Sequence, residues 1–253
     1  MSSTDPSDPL DPVDALEQLG RLALREHCMK SLLQSVAELA TEVMPGNPEA
    51  SVSLLINDRP STVAFTGELA RDCDESQYGR GYGPCLHAAG TGEVVEIADA
   101  RAETRWPDYV EHAVACGALS SLAVPLPINE GIVGAVNVYA RKPHAFDEDS
   151  RSVATRFARH AAAVAANMFA YEEARDLVEH LERRAESRAV VEQAKGMLME
   201  RHGLTAAEAQ QALARVARDA ETRVRAVAVD LVRTGKFPRR LGPSPEPTGD
   251  DAP

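Results

Sequence analysis

Apolar residues Leu16, Leu19, Leu22, Leu32, Leu33, Val36 and Leu39 recur at helical spacing from Asp14 to about Met44, and Pro45-Gly46 ends the run. Ser51–Ile56 and Ser61–Thr66 flank Asn57-Asp58-Arg59-Pro60, which is turn chemistry, so a hairpin is predicted. Glu93–Ile97 predicts a third strand, and Ser120–Leu126 with Ile132–Ala140, joined around Asn129-Glu130-Gly131, a second hairpin. Helices are predicted at about 83–90 and 106–116. The sum is an α+β domain with an antiparallel sheet and helices segregated to one side.

From Asp147, a plausible N-cap, no Gly or Pro occurs until Gly196, which predicts one very long helix or two stacked end to end. Ala174, Leu177 and Leu181 form a short seam of coiled-coil type, and association of two copies through this linking helix is expected. Val190, Ala194, Met197 and Leu198 then share one face, and Gly203 ends the helix. Thr205-Ala206-Ala207-Glu208 is a capping box opening a second helix, with Ala209, Leu213 and Val216 inward. A third helix is predicted from Glu221 to about Val232, with Val224, Val227, Ala228 and Leu231 inward. Three such helices would bury a small all-α core.

Composition excludes some classes of function. The net charge of −12 speaks against nucleic acid until the chain is divided: residues 181–240 hold 13 Lys and Arg against 8 Asp and Glu. Cys28, Cys73, Cys85 and Cys116 form no C-x-x-C pair and read as free thiols, and the histidines have no ligand spacing, so no metal site is expected. The first residues lack a signal pattern and no run is long enough to span a bilayer, so a cytoplasmic location without membrane contact is expected. No Walker A, G-x-S-x-G or H-E-x-x-H motif is present, and no catalytic residue is assigned.

At about 100° per residue, Arg184, Arg188, Lys195 and His202 fall within a band of about 40° beside the apolar face of the first C-terminal helix. Such a cationic edge matches a phosphate backbone. Gly196 in mid-helix costs about 1 kcal/mol against Ala, which calls for close approach of another backbone, either a packed helix or nucleic acid. The run Ser187–Arg201, with Ala194-Lys195-Gly196-Met197-Leu198-Met199 at its centre, resembles the first helix of ANTAR domains, three-helix RNA-binding modules of transcription antitermination regulators. Gly203, Glu208-Ala209, Leu213 and Val227-Ala228 continue the resemblance over about 181–234. It implies recognition of paired hairpins in a nascent leader RNA, which keeps a competing terminator from forming, through Arg184, Arg188, Lys195, Gly196, Arg201 and Arg223. This chain departs from the family pattern at Gln210, where an aromatic residue is usual, and at Glu221, where Asn is usual. A protein-interaction regulator with a degenerate RNA module is the alternative these departures leave open.

Tyr78-Gly79-Arg80-Gly81-Tyr82-Gly83-Pro84-Cys85, Asp99, Arg105-Trp106-Pro107, Gly117, Ser120-Ser121, Gly134-Ala135-Val136-Asn137-Val138-Tyr139 and Ala145-Phe146 resemble GAF domains, as in actinobacterial GAF–ANTAR regulators, over about 25–170. The resemblance implies a sensor with a ligand cavity over one sheet face; the N-K-F-D-E signature of cyclic-nucleotide GAF domains is not reproduced. Tyr82, Cys85, Trp106 and Tyr109 are the candidate pocket residues for an unidentified small molecule, and the cofactor is unknown. Some GAF domains reduce free methionine sulfoxide, so Cys73, Cys85 and Cys116 define an enzymatic alternative. The expected organisation is a disordered tail at 1–13, a GAF-like sensor at 14–170, the linking helix and ANTAR-like domain at 171–237, and a disordered tail at 238–253.

Overall fold

The computed structural model describes residues 9–21 and 26–237. The predicted C-terminal tail and residues 1–8 of the N-terminal one lie outside them. The chain divides between Glu173 and Ala174 into two compact units.

Unit 1 is built on a five-stranded sheet in the order β2-β1-β5-β4-β3, every neighbouring pair antiparallel. The strands are β1 (Glu49–Ile56), β2 (Arg59–Phe65), β3 (Val95–Ile97), β4 (Ser120–Asn129) and β5 (Ile132–Ala140). Asn57 and Asp58 are both left-handed, at φ 52° and 59°, so a two-residue turn joins β1 to β2. Arg59 and Pro60, expected in the turn, open β2 instead, an outer strand where proline is tolerated.

Alternation sets the two faces. Val52, Leu54, Leu122, Val124, Val136 and Val138 face one layer, made by α1 (Pro12–Arg21), α2 (Met29–Glu42) and the first part of α6 (Glu148–His202). Ala123, Ala135 and Tyr139 face the other, made by α3 (Glu68–Arg80), α4 (Pro84–Thr91) and α5 (Pro107–Cys116). Helices thus wall both faces, not one, because both faces of β1, β4 and β5 carry buried residues. The single helix predicted for 14–44 is two: Cys28 is extended at φ −104° and N-caps α2, its N–H donating to Ser31 Oγ at 3.1 Å. Helix α1 starts at Pro12, inside the segment predicted to be tail.

Helix α6 is one continuous helix of 55 residues. Asp147 caps it, accepting from Ser150 N–H at 2.8 Å and Ser150 Oγ at 2.7 Å, and these bonds hold its carboxyl below the usual range. Among the described residues no helix is long and apolar enough to cross a membrane.

Unit 2 packs the last part of α6 with α7 (Ala206–Asp219) and α8 (Val224–Thr234) around Ala194, Leu198, Ala209, Ala212, Leu213, Ala228 and Leu231. Gly203 is left-handed at φ 66°. The capping box forms: Glu208 N–H donates to Thr205 Oγ1 at 3.3 Å, and Thr205 N–H to Glu208 Oε2 at 2.8 Å. Helix α8 starts three residues later than predicted, since Glu221 takes the left-handed conformation at φ 49° within a tight turn and Arg223 becomes the N-cap. Val216 is half-buried, and Ala212 and Ala217 take the inner positions beside Leu213.

Candidate functional site

Strand β1 turns Ser51 and Ser53 to the α3 side, and β5 turns Asn137 to the same side, so the centre of this otherwise apolar layer is polar and buried. Helix α3 lays Asp74 onto that patch. One Asp74 oxygen accepts from Tyr139 Oη at 2.5 Å and Asn137 Nδ2 at 3.1 Å, and the other accepts from Ser53 Oγ and Thr62 Oγ1, each at 3.0 Å. Tyr78 Oη donates to Ser53 Oγ at 2.8 Å and lies 2.8 Å from Thr62 Oγ1. Asp74 is wholly buried; burial pushes its carboxyl above the usual range, and the hydroxyls around it pull the other way. Asn137 Nδ2 also meets Ser51 Oγ at 3.2 Å, Ser53 Oγ at 3.1 Å and Cys85 Sγ at 3.4 Å, whereas its Oδ1 has no partner.

Gln77 ties this network to the next helix. Its Oε1 accepts the Cys85 N–H at 2.8 Å, capping the start of α4. A Cβ on Gly83, whose φ is +155°, would fall 2.3 Å from that oxygen, so only glycine fits the α3–α4 corner.

The candidate pocket residues all pack in this layer. Cys85 and Tyr109 are fully buried, Trp106 is nearly so, and half-buried Tyr82 donates its hydroxyl to Asp108 at 2.7 Å. Arg105 stacks on Trp106 at 4.5 Å, and His87 meets the ring edge-on at 5.9 Å. Burial pushes the Cys85 thiol up to about 12 and raises Cys73 as well, so the α4 N-terminus does not produce a thiolate at Cys85. Cys116 Sγ lies 3.4 Å from His112 Nε2. Asp99 accepts from the guanidinium and the backbone N–H of Arg101, which hold its carboxyl at about 2.

Sequence reading missed Asp74, the centre of the network. The available signal was indirect: Tyr78, Asn137 and Tyr139 all sit in quoted motifs, and all three reach the Asp74 cluster.

In unit 2, Arg184, Arg188 and Arg223 are exposed and meet no carboxylate among the described residues. Lys195 is held differently. Its side chain is 15% exposed, and Nζ donates to both Glu192 oxygens, at 2.8 and 2.9 Å. Arg201 projects about 20° from Val190, onto the apolar side of α6, where Nη1 donates to the Gly235 carbonyl at 2.5 Å. The structure therefore places Arg184, Arg188, Lys195 and His202 along one edge of α6, Arg201 against the end of α8, and Arg223 at its start.

Gly196 is exposed, and a Cβ there would meet nothing within 4 Å. No helix among the described residues packs on this glycine, which contradicts packing within the chain's described part and leaves approach from outside. Gly196→Ala is therefore expected to stabilise unit 2 by about 0.5–1 kcal/mol, read by circular dichroism melting, while weakening RNA binding. A stabilised variant with unchanged RNA affinity would show that nothing approaches that face.

An antiparallel sheet walled by helices around a polar centre, with a separate cationic three-helix unit, defines a two-module regulator whose parts have the architecture of a sensor and of a nucleic-acid-binding domain. Comparison with known families matches residues 26–165 to the GAF domain and residues 179–232 to the ANTAR domain. The chain belongs to the GAF family, and an ANTAR domain follows its GAF domain. Among solved structures it is similar to the phycoerythrobilin-bound GAF domain of a cyanobacterial phytochrome, at 13% identity and TM-score 0.51, covering 64% of this chain and 97% of that one. The phycocyanobilin-bound GAF domain of a cyanobacterial phytochrome matches at 13% identity and TM-score 0.50, with the same coverage of 64% and 97%. The type II free methionine-R-sulfoxide reductase of Thermoplasma acidophilum matches at 19% identity and TM-score 0.45, covering 58% of this chain and 97% of that one. No curated protein matches the sequence. The two-domain architecture is that of a regulator, with RNA binding in transcription antitermination carried by the ANTAR domain and a sensor role by the GAF domain.

Proposed function

We propose that the segment 171–237 binds hairpins in nascent leader RNA in the cytoplasm, and that 14–170 governs this binding in response to a small-molecule signal. The observation that carries the reading is the α6 edge. Arg184 and Arg188 stand exposed with no acidic partner among the described residues, on the edge that Lys195 and His202 continue. A phosphate backbone laid along that edge would meet both guanidiniums. Buried, protonated thiols at Cys73 and Cys85 weigh against the reductase alternative.

The homodimer belongs to the same proposal. Leu177 and Leu181 of the predicted seam are 58% and 53% exposed, as is Val178 beside them at 53%, so the seam has no partner among the described residues. A second copy would cover it and bring two RNA-binding units to paired hairpins.

The test is RNA crosslinking with sequencing from cells carrying the wild type or Arg184→Ala/Arg188→Ala. Leader hairpins enriched by the wild type and lost in the variant support the reading. Equal recovery from both strains, or no hairpin enrichment from the wild type, would overturn it and favour the protein-interaction alternative.

A further inference from the structure

We propose that unit 2 holds a second RNA subsite, a cleft that takes one unpaired base together with its phosphate. The cleft lies between the C-terminal ends of α6 and α8. Leu198, Arg201, His202, Leu231, Lys236 and Phe237 line it with Gly235, around a volume of about 440 Å³, several times that of a nucleobase.

Its chemistry is that of a base site. Leu198 and Leu231 are core residues and give an apolar floor. Phe237 packs partly against that core while lining the opening, and it is the sole aromatic residue after Tyr171. A ring placed so offers a stacking surface that any base can use. Arg201 and Lys236 supply positive charge at the rim, His202 adds an imidazole, and no carboxylate among the described residues lines the cleft. Two helices end here, and the carbonyl-rich ends of helices suit the amino edge of a base. The rim cations then suit the phosphate.

The cleft is also pre-shaped. Arg201 is fixed by its bond to the Gly235 carbonyl, and Gly235 is left-handed at φ +67°. That backbone conformation favours glycine and turns the Gly235 carbonyl to the Arg201 guanidinium. Position adds to the case. His202 is the last residue of the α6 edge, so a strand following Arg184, Arg188 and Lys195 arrives at the cleft mouth.

This inference rests on the RNA-binding reading above, and the experiment separates the two. The probes are a pool of RNA hairpins with a short randomised loop, and the same stem closed by an abasic loop. Fluorescence anisotropy measures their affinity for the full chain as wild type, Phe237→Leu, Phe237→Trp and Arg188→Ala. Leucine retains packing against the core without an aromatic face, and circular dichroism melting establishes that each variant is folded. The expected result is a loss of roughly tenfold for Phe237→Leu on the randomised pool, no loss on the abasic hairpin, and recovery with Phe237→Trp. Arg188→Ala should weaken both RNAs alike. If Phe237→Leu binds the pool as wild type does while Arg188→Ala loses affinity, the cleft is not a base site and the RNA reading stands. Equal loss by Phe237→Leu on both RNAs would make its role structural and also sink the cleft. A wild type that binds neither RNA overturns both.

Discussion

Asp74→Ala is expected to destabilise unit 1 by about 3–5 kcal/mol. The carboxylate is the shared acceptor for Tyr139, Asn137, Ser53 and Thr62, drawn from three strands, and it binds them to α3. Its removal leaves buried donors that water cannot reach, and rotation of the hydroxyls recovers only part of the loss. Such a cost is a large share of the roughly 5–15 kcal/mol that holds a domain together. Urea unfolding followed by Trp106 fluorescence measures it, because the only tryptophan in the chain packs in the same layer. A cost below about 1 kcal/mol would mean that the network contributes no more than one ordinary hydrogen bond.

The same carboxylate gives a pH dependence with a definite sign. Burial raises its folded-state pKa above the unfolded value, so the native state keeps the proton longer. Wild-type stability relative to Asp74→Asn should therefore fall as pH climbs from about 4, the ordinary Asp value, through the raised one. A difference that stays flat with pH would show that Asp74 is not desolvated.

Gly134→Ala should have an effect of similar size, about 3 kcal/mol or more. Gly134 sits on β5 opposite Leu54 of β1, and a Cβ there would lie 2.2 Å from the Ser53 carbonyl oxygen and 2.9 Å from Leu54 Cδ2. A side chain can rotate away from such a clash, but a carbonyl held in a central strand pair cannot. The pairing would have to open, and Ser53 would then be drawn away from Asp74. Gly131→Ala, in the β4–β5 turn where the nearest atom is 3.8 Å from the added carbon, is the matched control and should change stability by less than about 0.5 kcal/mol. Equal effects of the two substitutions would contradict the packing described for β5.

Most elements of the fold were legible because their apolar period survives in the sequence. β1, β4 and β5 are short apolar-rich runs bounded by turn residues, α7 and α8 each keep an apolar stripe, and Thr205 and Glu208 announce a cap that forms as expected. α3 was not legible, and the reason is physical. Its inward face carries Asp74 and Gln77 beside Leu69, Ala70 and Cys73, so burial there is not paired with hydrophobicity. A period search built on apolar residues cannot see a helix whose buried side is hydrogen-bonded. The centre of the unit 1 site went unseen with it. In unit 2, sequence reading grouped Arg201 with the other cations, and only the structure supplied its partner, Gly235, which is 34 positions away. The Lys195–Glu192 pair lies within reach of sequence reasoning, since residues three apart on a helix are neighbours.

The outer strands of the sheet bear on how two copies can meet. β3 offers three residues, too short a template for a strand from another chain, and β2 opens with Arg59 and Pro60, a charge and a residue with no N–H to donate. Both margins are thus closed to edge-to-edge extension, which guards the protein against open-ended stacking of sheets. In the proposed dimer, contact between copies would then fall on helical surfaces, where burial of a defined stripe saturates at a fixed number of partners.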